Sequence, residues 1–290
     1  MRKYLLVVSL MLLAGCVTQD TSTPTIQTVD GPTTAAALTS RYRNTAANCG
    51  SNTMPAFLCS GVILRVTETS NLFDPWEPSD TSLARGGVSF SYLRKDNNFD
   101  RLWKFTNGYI LYSILDMPAD KLKIPVLCMF PVDGWTNGRL DRNSCGTYPG
   151  YSSSAPCHLH NPIIETGAQW NAAYGNATHE GYRICGFDVR DELNQYAGPN
   201  FYAGMQARWQ NSNHFQVHNE LVLKVWQRGQ ARVLPIQAFF YTDANGLANA
   251  KIDRQKFLSQ TGITLPVIKM SLPATPTGDA TFQYVPGDQR

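Results

Sequence analysis

Six side chains in this sequence have types and spacings that could do chemistry together. Arg65 follows the apolar run Gly61-Val62-Ile63-Leu64. Its planar guanidinium either decorates a strand end or clamps a phosphate-like anion through two parallel hydrogen bonds. Ser89 and Ser91 alternate with Val88, Phe90 and Tyr92, so both hydroxyls share one strand face. That face is either the solvent side of a half-buried sheet or the wall of a polar cleft. Arg94 opens the charged turn Arg94-Lys95-Asp96, at a strand end where loops often carry function. His218 and Glu220 stand just before Leu221-Val222-Leu223, which sets an imidazole and a carboxylate beside an apolar run. Cys185-Gly186-Phe187-Asp188-Val189-Arg190 offers a further acidic–basic pair, of a kind that is more often structural.

Familiar catalytic signatures are missing from the sequence. There is no Gly-x-Ser-x-Gly elbow, no phosphate-binding Walker loop, no Gly-x-Gly-x-x-Gly, and His179-Glu180 lacks the second histidine of a zinc protease. His158-Leu159-His160 beside Cys157 is a metal-like cluster, but no Cys-x-x-Cys accompanies it. Zinc sites favour such close pairs, so no metal is expected.

The elements that hold these residues belong to a globular chain. Of 290 residues, 43% are hydrophobic, 11% aromatic and only 16% charged, which excludes a disordered chain. A net charge of +3 argues against a nucleic-acid partner. A single apolar run, Leu5–Leu13, is too short to span a bilayer and follows Arg2 and Lys3, as in a secretory signal peptide. Leu13-Ala14-Gly15-Cys16 is similar to a bacterial lipobox, so Cys16 is expected to be lipidated and to anchor the chain to a lipid bilayer. Val17 rather than Asp suggests the outer membrane of the cell envelope. Without residues 1–15 the net charge falls to +1. Residues 16–40 are then expected to form the lipidated cysteine and a Thr-rich tether reaching about 25–30 Å.

Six cysteines remain after lipidation: Cys49, Cys59, Cys128, Cys145, Cys157 and Cys185. An even number outside the cytosol points to as many as three disulfides. Cys49 with Cys59 and Cys145 with Cys157 are the preferred pairs.

Residues 41–290 read as one α+β domain, with a mixed or mainly antiparallel sheet flanked by helices and stapled by disulfides. Strand-like runs are Gly61–Thr67, Gly87–Leu93, Gly108–Leu115, Ile124–Phe130, Tyr182–Val189, Leu234–Thr242 and Leu265–Leu272. Helical stretches are Thr39–Ala47, Gly167–Tyr174, Asn200–Gln210 and Ala244–Thr261, the last ending at Gly262. Phe215–Trp226 fits either period. Loops are expected at Pro75–Gly86, Asp133–Pro156 and Gly229–Val233. A monomer is expected.

Five blocks in order carry a family resemblance: Pro55–Arg65, Gly86–Asp96, Asn219–Leu221, Leu234–Tyr241 and Pro266–Ile268. They resemble the halovibrin family of secreted bacterial proteins over roughly Arg41 to Tyr284. The resemblance implies a toxin-like ADP-ribosyltransferase or NAD glycohydrolase, with NAD as substrate and, for transfer, a protein acceptor. It also implies roles. Arg65, Arg94 and His218 would bind substrate, while Ser89, Ser91 and Glu220 would be catalytic. His218 stands where such enzymes carry Glu or Gln two residues before the catalytic Glu, which favours hydrolysis over transfer. Two other readings stay open. One is a non-catalytic outer-membrane lipoprotein that binds a protein or glycan through Trp76, Trp103 and Trp135; the other is hydrolysis of a different substrate.

Overall fold

A computed structural model describes residues 26–50, 54–69, 74–102, 104–130, 187–188 and 218–290. Its strands are β1 (Gln27–Thr28), β2 (Val62–Val66), β3 (Gly87–Leu93), β4 (Asn107–Leu111), β5 (Val126–Phe130), β6 (Phe187–Asp188), β7 (Glu220–Lys224), β8 (Ile236–Tyr241), β9 (Ile263–Thr264), β10 (Val267–Ser271) and β11 (Thr281–Tyr284). The helices are α1 (Gly31–Arg43), α2 (Asp80–Arg85) and α3 (Ala244–Thr261).

Among the described residues, nine strands form one sheet in the order β11-β10-β8-β4-β2-β3-β7-β5-β6. Every neighbouring pair is antiparallel except β8 with β10, which run parallel with α3 crossing between them. The fold is therefore α+β with a mixed, mainly antiparallel sheet in a single domain. Both faces of the sheet are covered. Phe90, Tyr109, Leu221, Phe239 and Val267 pack with Ala250 and Phe257 of α3 on one face. Val62, Leu64, Leu93, Ile110 and Phe240 pack with Leu38 and Tyr42 of α1 on the other. Central strands buried on both sides read as near-continuous apolar runs, which is why β2 and β8 stand out in the sequence.

The helix ends follow their capping residues. Asp243 caps α3 by accepting from Gly246 N at 2.7 Å, and Gly262 ends it at φ 71°. Asp30 caps α1 by accepting from Thr33 N at 2.8 Å, with Pro32 in the first turn.

That first helix corrects the expected tether. From Gln27 onward the segment belongs to the fold: β1 pairs with β9, and α1 buries Ala35, Leu38 and Tyr42 against the sheet. Two bulky apolar side chains four residues apart were enough, because the sheet supplied the rest of the core. The domain therefore begins before residue 41, and the helix expected at Thr39–Ala47 ends at Arg43. The loop expected over Pro75–Gly86 contains α2, and that over Gly229–Val233 closes with a 3-10 turn at Ala231–Val233. Of the ambiguous Phe215–Trp226, residues 215–217 lie outside the described residues and Glu220–Lys224 is a strand.

Cys49 and Cys59 form the expected disulfide, with Cα atoms 5.8 Å apart. Cys128 is also disulfide-bonded. Cys16, Cys145, Cys157 and Cys185 lie outside the described residues. So do the metal-like His158-Leu159-His160, Trp103, Trp135, the helices expected at 167–174 and 200–210, and most of the strand expected at 182–189.

Candidate active site

β3 uses its two neighbours at different ends. Its Ser91–Leu93 half pairs with Leu64–Val62 of β2, and its Gly87–Phe90 half pairs with Lys224–Leu221 of β7. Beyond Leu64, β2 follows β4 instead, with Arg65 opposite Tyr109 and Val66 opposite Gly108. The sheet thus forks between β2 and β3. Gly108 allows this close course, since a Cβ there would stand 1.9 Å from the Arg65 carbonyl oxygen. The alternation of an antiparallel ladder turns the Ser89 main-chain groups toward the fork, away from β7.

A cavity of about 340 Å³ opens at this fork, lined by Arg65, Val66, Ser89, Phe90, Ser91, His218 and Glu220. Ser79, Thr81 and Ser82 of α2 and its cap complete the wall. A second cavity of about 720 Å³ shares Arg65, Val66 and Ser79 with the first. It extends past Glu68, Asp74, Glu77 and Asp80, with Arg228 as its other cation. Both volumes fall in the usual range for small-molecule sites, about 300–1,000 Å³.

Glu220 is buried at the head of β7 and accepts a hydrogen bond at Oε1 from Ser89 Oγ. Ser91 Oγ lies 3.1 Å from His218 Nδ1. Both contacts are diagonal. The ladder pairs Ser89 with Val222, so each serine reaches two residues back along the partner chain, with the same offset. His218 Nδ1 also lies 3.0 Å from the Asn219 carbonyl oxygen. A carbonyl can only accept, so this contact is a hydrogen bond in the tautomer that carries the proton on Nδ1, with Ser91 Oγ as a second acceptor. Phe99 supports the imidazole edge-on, with ring centroids 6.1 Å apart.

Arg65 reaches the cavity from the other side of the sheet. Alternation sets it on the face of Ile63, Phe90 and Tyr109, opposite the face of Ser89, Ser91 and Glu220. Burial pushes the Tyr109 phenol up, and the neighbouring Arg65 charge partly offsets that shift. Arg65 Nη1 is buried and has no hydrogen-bond acceptor among the described residues. The fork therefore brings five of the six candidate residues around one cavity, with Arg65 on a separate wall from the serine–Glu220 pair.

Arg94 is the sixth, and it is not there. It is fully buried, and all five of its donors are used. They go to Asp96 Oδ1 at 2.6 Å and Oδ2 at 2.7 Å, Ala46 O at 2.8 Å, Ser60 Oγ at 3.1 Å and Thr45 O at 3.2 Å. Burial alone would lower its pKa, but the Asp96 carboxylate holds it above the ordinary value. Arg94 ties the Thr45–Ala46 segment and Ser60 to the end of β3; it is a structural residue, not a ligand for substrate. Trp76 is likewise a core residue rather than a surface aromatic, wholly buried and edge-on to Phe239 and Phe257.

Two contributors escaped the sequence reading. Ser79-Asp80-Thr81-Ser82 holds an N-cap signal for α2, hidden within a Pro-rich stretch; Ser79 Oγ accepts from Ser82 N at 3.1 Å. Asn219 stands in the sequence between His218 and Glu220 and heads the Asn219–Leu221 block, with nothing there to give it a role of its own. Among the described residues, no group of three or more His, Cys, Asp or Glu side chains could hold a metal ion. Comparison with models of known protein families and with curated proteins finds no match.

Proposed function

We propose that this chain consumes NAD, cleaving the nicotinamide–ribose bond at the fork between β2 and β3. The observation that carries this reading is the buried Glu220 carboxylate, bonded to Ser89 and lining one cavity with Ser91, His218 and Arg65. Cleavage breaks the bond from ribose C1′ to the pyridinium nitrogen. Nicotinamide leaves neutral with the electron pair, and positive charge develops on the ribose. A buried, fixed carboxylate such as Glu220 stabilises that charge best where it forms. Ser89 orients the carboxylate. Arg65, common to both cavities and with a donor to spare, suits the pyrophosphate.

Water adding to C1′ gives ADP-ribose and releases one proton, for which His218 Nε2 in the same cavity is the acceptor. The imidazole at this position favours glycohydrolysis over mono-ADP-ribosyl transfer to a protein. In this reading the chain is a toxin-like, halovibrin-type outer-membrane lipoprotein, anchored through Cys16. The binding-module alternative loses Trp76 to the core. The test is incubation of the full chain with NAD. Free nicotinamide and ADP-ribose are expected; intact NAD would end this reading.

A further inference from the structure

We propose that Asn219 is a positioning residue of the fork site, acting as a side-chain rung that replaces the next main-chain rung between β7 and β3. The β3–β7 register pairs Gly87 with Lys224 and Phe90 with Leu221. Continued by two residues, it sets Tyr92 opposite Asn219. At that point the carboxamide of Asn219, not its backbone, meets β3. Tyr92 N–H donates to Asn219 Oδ1 at 2.7 Å, and Asn219 Nδ2 donates to Tyr92 O at 2.6 Å. Both residues are wholly buried, so each bond is shielded from water.

This substitution has a geometric consequence. A side chain inserted between the strands holds the Asn219 backbone one side-chain length away from β3. The Asn219 carbonyl is then not used in the ladder and is the group that His218 Nδ1 meets at 3.0 Å. The same rung locks the register one residue from Glu220, so Ser89 meets Glu220 and Ser91 meets His218 with a common diagonal offset. A slip of the chain at this point would break both contacts together. One buried carboxamide thus fixes the carboxylate and the tautomer of the imidazole. Tyr92 is itself held from behind, by Ser60 Oγ at 3.0 Å.

The inference rests on the proposed NAD-cleaving site, and the test separates the two. Gln289 provides an internal control. Its carboxamide makes the same pair of bonds to Val267, accepting from N at 3.0 Å and donating to O at 2.8 Å, toward the far edge of the sheet on β10. Asn219→Ala, Asn219→Asp and Gln289→Ala are compared with the parent full chain for kcat and KM of nicotinamide release. The ¹⁵N resonances of His218, assigned by their loss in His218→Gln, report the tautomer. Asn219→Ala is expected to lower kcat about 100-fold with KM little changed, as a small misplacement of reacting groups does. It should also move His218 from the Nδ1–H form toward the tautomer mixture of a free imidazole. Gln289→Ala should change neither. If Asn219→Ala does not fold, Asn219→Asp, which keeps the acceptor half of the rung, carries the same comparison. Unchanged kcat and tautomer in the Asn219 variants, or equal losses in Gln289→Ala, would overturn the proposal. If the parent chain releases no nicotinamide, the NAD reading fails and the His218 tautomer alone decides the role of Asn219.

Discussion

Ser89 Oγ donates to Glu220 Oε1 across the β3–β7 boundary, two residues off the register that pairs Ser89 with Val222. The hydroxyl sits on the cavity side of a forked sheet, so it aims the carboxylate at the cavity rather than into the core. Ser89→Ala should leave Glu220 in place but less constrained. Nicotinamide release is expected to fall about 10-fold, the worth of roughly one hydrogen bond to a charged group. A stability loss with no change in kcat would show that the hydroxyl only packs.

Arg65 stands apart from this pair, on the opposite face, and offers an unused donor at a wall common to both cavities. A lysine keeps the charge but loses the planar fork. Arg65→Lys should therefore raise KM for NAD by about 10-fold or more, with a smaller effect on kcat. Steady-state kinetics separates the two. A pure kcat effect would move Arg65 from substrate binding to the chemical step.

Arg94 should behave as a structural residue. Its guanidinium is fully buried between Asp96, Ser60 and the Thr45–Ala46 carbonyls. Removing one partner of a buried ion pair costs about 3–5 kcal/mol. Arg94→Met should lower the unfolding free energy from urea titration by that amount while KM of the remaining folded protein stays the same. A raised KM with unchanged stability would restore Arg94 to the site.

Asp253 on α3 gives the fold a pH dependence of its own. Wholly buried, it accepts at Oδ2 from Thr69 Oγ1 and Asn107 Nδ2, each at 3.0 Å. Burial raises its pKa to about 6, although both hydrogen bonds and Lys256 pull the other way and Asp74 adds to the rise. The folded state thus holds this proton more tightly than the unfolded chain does. Stability from this group is present below the unfolded value near 3.8, is lost as pH rises through about 6, and changes no further above it. Asp253→Asn keeps an acceptor for both bonds and cannot ionise. Its stability relative to the parent should climb by about 2.5 kcal/mol between pH 4 and pH 7.5. A difference that stays flat with pH would contradict the assignment.

The sequence revealed the strands that build the fork more readily than the fork itself. β3 was legible to the residue because its alternation is strict, and α3 because Asp243 and Gly262 bracket it. β1 and β9 were invisible, since two-residue strands hold together only through a pairing between distant parts of the chain. Alternation also assigned the faces correctly. It could not show that β2 leaves β3 after Leu64, which is what brings Arg65 and the serines to a single cavity from opposite faces. Arg94 misled for a physical reason: an arginine at a strand end looks identical in sequence whether it faces water or five internal acceptors. Asn219 was passed over because nothing in a lone asparagine marks it as a replacement for a main-chain rung.

The central claim is that Glu220 stabilises the charge that develops as nicotinamide leaves. Its most direct test is single-turnover nicotinamide release from NAD by the full chain and by Glu220→Gln, with NAD binding measured on both. The carboxamide keeps the shape and the hydrogen bond to Ser89 but removes the negative charge. Release should slow about 100- to 1,000-fold while NAD binds with nearly the same affinity. Equal rates in the two proteins would contradict the account.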